Sequence, residues 1–294
     1  MKIVCFYPAK ETGYSGKPSH LGVKMASGIV DLTAAGYKAN LAETITNWAS
    51  NKGEIASLAS NGTLPLVDES AICYTTPAPF GAKIVCVGQN YKEHIKEMAK
   101  GGPIPEIKEP VLFAKFSDTL SAHGGTVRLP SDGGQYDYEA ELVIVIGTGG
   151  MNIPEEKALS HIFGYTCGND ISDRDAQFRS TQWMIGKNRP GFAALGPWLV
   201  TADELEPGNL AIKTYRGNEV VQDSRTSDLL FNVTAIVSYA SRFIQLNPGD
   251  LIYTGTPSGV IGGKDPDKRI WLKPGESVEV EIEGVGRLCT NFVE

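Results

Sequence analysis

The run Tyr136-Asp137-Tyr138-Glu139-Ala140-Glu141 leads without a break into Leu142-Val143-Ile144-Val145-Ile146-Gly147. Its second half is a Val/Ile stretch of strand length ended by glycine, and it constrains the fold more than any other segment. Alternate side chains of a strand share a face, so Glu139 and Glu141 project together at the mouth of an apolar strand. Two adjacent anions near a core are costly unless a cation or protons neutralise them. Oxygen-only ligands suit a hard divalent cation such as Mg²⁺. The competing reading of a bare Glu-x-Glu is a solvated strand end, so the rest of the chain has to decide.

At 294 residues the chain accommodates one large domain, or a large one with a small one. Its 41% hydrophobic and 21% charged residues suit a soluble globular protein. A net charge of −7 argues against a nucleic-acid partner, which would need a basic face. It leaves an anionic small molecule open, because a site's local field can oppose the net charge. Cys5, Cys73, Cys86, Cys167 and Cys289 are odd in number and never at metal-ligand spacing. They read as small core residues of a reduced, intracellular protein. No apolar run reaches membrane-spanning length, and Met1-Lys2-Ile3-Val4 is not the start of a signal peptide. A cytoplasmic location without membrane contact is the expectation.

Short strands are predicted over residues 1–35, with a hairpin about Met25-Ala26-Ser27. Helical spacing over 41–58 breaks near Asn51-Lys52-Gly53. Proline at Thr76-Pro77-Ala78-Pro79 marks a boundary between a small N-terminal domain, 1–76, and a main domain, 80–294. A buried strand over 82–88 precedes a helix over 89–98 with Asn90 as its cap. On that helix His94 and Glu97 are three apart and share a face. A carboxylate beside an imidazole orients it and raises its basicity, which suits a general base activating water. The alternative is a surface ion pair. The loop Gly101-Gly102-Pro103-Ile104-Pro105 makes this helix a candidate lid.

Further along, Lys115 sits in an apolar strand over 110–116, where it either snorkels out or points into a site. His123, in a turn, is given no role and is expected in solvent. A short helix over 154–162 precedes a strand over 163–170. Asp170 ends that strand as a third carboxylate or as a turn residue. Arg174 opens a helix and either grips a substrate carboxylate or pairs with Asp173 or Asp175. Lys187 follows an apolar run, a strand spans 195–200, a polar hairpin turns at Arg216-Gly217-Asn218, and a long helix covers 227–246. The turn Thr254-Gly255-Thr256-Pro257-Ser258-Gly259-Val260 is expected to offer backbone N–H groups and hydroxyls to a ligand, and the tail is β-like.

Taken in order, these pieces resemble the fumarylacetoacetate hydrolase superfamily, in its acylpyruvate hydrolase-like branch, over about residues 80–290. The resemblance rests on Gly88-Gln89-Asn90-Tyr91 with His94 and Glu97, and on Pro110 to Lys115. It continues through Asp137 to Leu142, Gly164-Tyr165, Asn169-Asp170, Arg174-Asp175, Gly186-Lys187, Gly196-Pro197-Trp198 and Thr254 to Val260. It implies an α+β, β-rich fold: a mixed β-roll or sandwich with flanking helices and a small N-terminal α/β segment, assembled as a homodimer. It implies Glu139, Glu141 and Asp170 as ligands of Mg²⁺, with Mn²⁺ or Ca²⁺ as alternatives. His94 and Glu97 would be a water-activating dyad on the lid, and Lys187 would stabilise a developing enolate. Arg174, Gln177 and Thr256 would hold the substrate's carboxylate and oxo groups, with Lys115 also matched. Two departures bear on the substrate. Asn188-Arg189-Pro190 stands where relatives read otherwise and would reshape a wall near the lysine, and position 89 is Gln.

The expected chemistry is C–C bond cleavage of a small 2-oxo or 1,3-diketo acid, of acylpyruvate or fumarylpyruvate type, through a metal-stabilised enolate. Oxaloacetate decarboxylation and 2-oxo acid tautomerisation need the same parts. A reading of another class is a non-catalytic protein that binds metal and a 2-oxo acid, against which the His94–Glu97 pair argues.

Overall fold

A computed structural model describes residues 1–9, 19–131 and 134–294. The acidic strand, Ala140–Ile146, lies inside a large mixed sheet. The order from one edge is Leu66–Val67, Gly28–Asp31, His20–Met25, Lys2–Pro8, Ala193–Thr201, Ile162–Asp170, Ala140–Ile146, Leu251–Tyr253, Ile84–Gly88 and Val111–Lys115. The first four strands come from the N-terminal segment. They join the rest through Lys2–Pro8, where Ile3 lies opposite Leu199. A second sheet runs Glu219–Arg225, Ala211–Arg216, Ser277–Ile282, Gly286–Val293 and Thr126–Arg128.

Alternation along the acidic strand explains the layers. Ala140, Leu142, Ile144 and Ile146 pack with Ile212, Val280 and Leu288 of the second sheet, making a β-sandwich. Val143 and Val145 face the other way, onto Ile3, Leu21, Ile45 and Ile55 of the N-terminal segment. Apolar on both faces, the strand carries no polar side chain after Glu141. Glu139 and Glu141 follow the parity of Val143 and Val145. The α+β, β-rich architecture with flanking helices is thus as expected.

Several elements start or stop elsewhere than the sequence suggests. The first helical stretch breaks at Asn47, not at residues 51–53: α1 is Leu41–Thr46 and α2 is Trp48–Ala59. Asn40 and Glu43 form a reciprocal cap on α1, and Gly53 is tolerated within α2. The third helix, α3, is Lys92–Ala99 and has no side-chain cap. Residues 155–161 wind as a 3₁₀ helix. Two short helices follow, α4 (Arg174–Gln177) and α5 (Met184–Lys187). The last, α6, is Val233–Phe243. It begins later than its apolar periodicity, because Asn232 caps it by accepting from the Ala235 N–H. His123 is half-buried, not solvated, and its Nδ1 accepts from the Cys289 N–H at 3.0 Å.

Asn90 is not a helix cap. Its amide ties three segments together, donating to Thr254 O at 2.7 Å and Phe231 O at 3.0 Å and accepting from the Phe231 N–H at 2.8 Å. It is fully buried, so its loss strands three backbone groups away from water. Asn90→Ala is therefore expected to lower unfolding free energy by roughly 3 kcal/mol. Urea titration checks this: the midpoint falls while the slope is unchanged.

Candidate active site

The C-terminal end of one strand, the start of its neighbour and two short helices converge on one buried cluster of charge. Glu139 and Glu141 flank the first residue of the acidic strand, and Asp170 ends the adjacent antiparallel strand, its N–H donating to Glu139 O at 2.9 Å. One carboxylate oxygen from each of the three lies within 4.8 Å of the others. Lys187 Nζ is 2.6 Å from Glu139 Oε2 and 2.8 Å from Asp170 Oδ2. Lys115 Nζ is 2.5 Å from Asp170 Oδ1 and does not snorkel. Arg174 bridges Glu139, at 2.6 Å, and Asp137, at 2.9 Å. None of these seven residues exposes more than 5% of its surface.

Four carboxylates thus face three cations, and the imbalance falls on Glu141, which among the described residues has no ion-pair partner. Its one hydrogen bond from the protein is the Gly255 N–H at 2.6 Å. Burial, then repulsion from Asp170 and Glu139, pushes its carboxyl well above the ordinary range. Burial also pushes Glu139 up, but Arg174 and Lys187 outweigh it and hold that carboxyl well below its usual value. Lys187 remains protonated, because Asp170 and Glu139 overcome the effect of burial. Three convergent carboxylates with excess negative charge are a fitting donor set for a hard divalent cation.

The three carboxylates line a cavity of about 260 Å³. The histidine of the dyad, His94, 8% exposed, lines it too. Its Nδ1 is 2.8 Å from Glu97 Oε1, which leaves Nε2 for a reacting group. The other Glu97 oxygen accepts from the Gly259 N–H at 2.9 Å. A Cβ on Gly263 would sit 2.5 Å from Glu97 Cδ, so the dyad occupies space that only glycine leaves free. The pair is a built feature of the cavity, not a surface ion pair.

The glycine-rich turn behaves differently from expectation. Its N–H groups point at the protein's own carboxylates: Gly255 to Glu141, Gly259 to Glu97, and Ile261 and Gly262 to Asp137, the last two at 2.8 Å. Thr256 lines the cavity, with its hydroxyl accepting from Gln222 Nε2 at 2.9 Å. Arg174 pairs with neither Asp173 nor Asp175. Asp173 instead holds Arg189, at 2.7 Å, and Arg189 is not among the residues that line the cavity. Gln177 lines the cavity and accepts from Arg174 Nη1 at 3.0 Å.

Sequence reasoning overlooked Asp137 and Gln222. Asp137 anchors Arg174, and its signal was the acidic residue two before Glu139 in the same run. Gln222 lies on a strand of the second sheet and accepts from the Ala140 N–H at 3.1 Å while holding Thr256. Nothing local marks it.

Residues 83–293 match the family described as fumarylacetoacetate (FAA) hydrolase C-terminal. A Dictyostelium discoideum fumarylacetoacetate hydrolase domain-containing protein 2 homolog is 35% identical, covering 99% of this chain and 97% of its own. Human oxaloacetate tautomerase FAHD2A, mitochondrial, is 36% identical over 93% of this chain and 87% of its own. Among solved structures, fumarylacetoacetate hydrolase from Exiguobacterium antarcticum superposes with a TM-score of 0.83 at 32% identity, covering 100% and 99% of the two chains. Maleylpyruvate hydrolase from Sphingobium sp. SYK-6, in complex with manganese(II) and pyruvate, superposes with a TM-score of 0.81 at 26% identity and the same coverage. The chain belongs to the fumarylacetoacetate hydrolase family, whose members include hydrolases, isomerases and tautomerases of small acids.

Because Glu141 carries the uncompensated charge, Glu141→Ala should abolish Mg²⁺ and Mn²⁺ binding in calorimetry. Metal affinity equal to that of the native protein would remove the three carboxylates from the role of ligands.

Proposed function

We propose that the protein is a divalent-metal-dependent enzyme that enolises a small 2-oxo acid, with keto–enol tautomerisation of an oxaloacetate-like substrate as its principal reaction. The observation that carries this is the placement of a carboxylate-oriented imidazole, His94–Glu97, on the same cavity as Glu139, Glu141 and Asp170. The tautomerase named among the relatives aligns over nearly the whole chain and supports this choice of reaction.

A bound divalent cation would supply Lewis acidity toward a 2-oxo carbonyl. Arg174, Gln177 and Thr256 line the cavity beside the carboxylates and would hold the substrate's carboxylate and oxo groups. Lys187, kept protonated by its two carboxylates, would balance negative charge that develops on the oxo oxygen. His94 Nε2 would take the proton from the carbon next to the oxo group and return it to oxygen, or run the transfer in reverse. Glu97 fixes the ring's tautomer and stabilises the imidazolium.

A second reading keeps every residue in place. If the same dyad draws a proton from water, hydroxide attacks a neighbouring carbonyl and the C–C bond of an acylpyruvate breaks. The maleylpyruvate hydrolase neighbour supports this branch.

Two assays separate the readings: Mg²⁺-dependent loss of the oxaloacetate enol absorbance, and release of pyruvate from acetylpyruvate. Enol turnover far exceeding acetylpyruvate cleavage is the expected result; the reverse ratio would overturn the tautomerase reading in favour of the hydrolase. His94→Ala should lower kcat for the preferred substrate by about 10²-fold or more with metal affinity intact. Unchanged kcat would remove the dyad from the chemistry. Gly263→Ala should act through position alone, since its methyl group displaces the Glu97 carboxylate. A fall in kcat of roughly tenfold or more is expected, with an unaltered thermal midpoint. Full activity would show that Glu97 orientation is immaterial.

A further inference from the structure

We propose that the outer half of the cavity takes the uncharged tail of a 2-oxo acid, and that Gln89 determines specificity by meeting that tail. The inference rests on the reading above that the cavity's floor binds the 2-oxo acid head.

The cavity is divided chemically. Its floor carries the carboxylates, Arg174, Lys187 and His94. The wall beyond is Ile95, Met98, Pro105, Phe113, Phe178 and Trp183. Phe113 and Trp183 meet edge to face, with ring centroids 5.5 Å apart. None of these six side chains is charged; Lys187 Nζ lies 5.4 Å from the Phe113 ring centroid, where wall and floor meet, and is already paired with Glu139 and Asp170. Such a surface rewards an apolar substituent, which leaves water to lie against aromatic rings. It penalises a carboxylate, which would lose its hydration and gain no countercharge. A four-carbon diacid escapes this penalty, because its second carboxylate is one methylene from the oxo carbon and stays near the floor. A longer diacid carries that charge out to the wall.

Gln89 is the polar side chain of this wall, and its backbone is held in an uncommon state. Its φ is +55°, the left-handed region that side chains other than glycine rarely adopt. Both neighbours enforce it. A Cβ on Gly88 would lie 2.4 Å from Trp183 Cζ3, so the chain packs there against the indole. Asn90, on the other side, is tied to Phe231 and Thr254. Gln89 lines the cavity, and its side-chain amide makes no hydrogen bond among the described residues. A neutral amide can donate to a tail carbonyl or accept from a tail hydroxyl, but it offers no charge to balance an anion.

Calorimetric binding to the full-length protein in Mg²⁺ tests this with three 2-oxo acids: pyruvate, 2-oxohexanoate and 2-oxoadipate. The latter two have the same number of carbons and differ in whether the far end is methyl or carboxylate. The expected order has 2-oxohexanoate binding at least about tenfold tighter than pyruvate and at least about tenfold tighter than 2-oxoadipate. Gln89→Arg, which places a cation on the wall, should erase or reverse the preference between the two longer acids while leaving pyruvate unchanged. If 2-oxoadipate binds the native protein as tightly as 2-oxohexanoate, or if Gln89→Arg leaves their ratio unaltered, the proposal is overturned. If pyruvate binds but the tails are not discriminated, the tail inference alone fails. If pyruvate does not bind with Mg²⁺, the head-group reading fails and takes this inference with it.

Discussion

Seven charged side chains buried together, with one negative charge in excess, are the constraint around which this structure is arranged. Such a cluster contributes little to stability, because desolvation offsets the attraction between partners. It persists only if each charge is held by groups that cannot move away. The cations sit at fixed places, at the end of an edge strand and on α4 and α5. Gly186 lets those two helices touch, since a Cβ there would lie 2.4 Å from the Gln177 nitrogen. The remaining support is the backbone of residues 255–262, whose N–H groups are distributed among Glu141, Glu97 and Asp137. Gly255 and Gly259, at φ +99° and +107°, make that path feasible.

That loop gives the site a division of labour. Among the described residues no hydrogen bond or ion pair joins the carboxylate cluster to the dyad, yet both hang from one stretch of chain. Glu141 is set by its first glycine and Glu97 by its next. The dyad itself rides on α3, which ends at Lys100 in a left-handed conformation and passes into residues 101–109. The carboxylates of the floor are set by two neighbouring strands of the large sheet, and its cations and His94 by an edge strand and short helices beside them.

The site also explains why reaction type is harder to read than membership in the family. Hydrolysis, decarboxylation and tautomerisation of 2-oxo acids share an electron-rich enolate and the same stabilising cations. They differ in where protons are taken and delivered, to carbon, to oxygen or from water, which a cluster of fixed charges does not by itself dictate.

Residue order alone determined a good deal. The Val/Ile run after Glu141 could only be a buried strand, and parity then placed Glu139 and Glu141 on one face. Three-residue spacing put His94 and Glu97 within hydrogen-bond reach on a helix. Asp170 and Lys187 were visible as candidates because a charge at the end of an apolar run has few places to go. What the sequence could not settle was pairing across distance. Arg174 has acidic neighbours on both sides in sequence and chooses Asp137 and Glu139 instead, because residues 172–173, just ahead of α4, pair with 136–137. Asn90 had the look of a cap and became a clamp between Phe231 and Thr254. The glycine-rich turn looked like a ligand cradle, and its N–H groups serve buried carboxylates whose need for donors is created only by the fold. Spacing and periodicity report what one strand or helix does with its own side chains. Which charge meets which is fixed by desolvation in the packed interior, and so by tertiary structure.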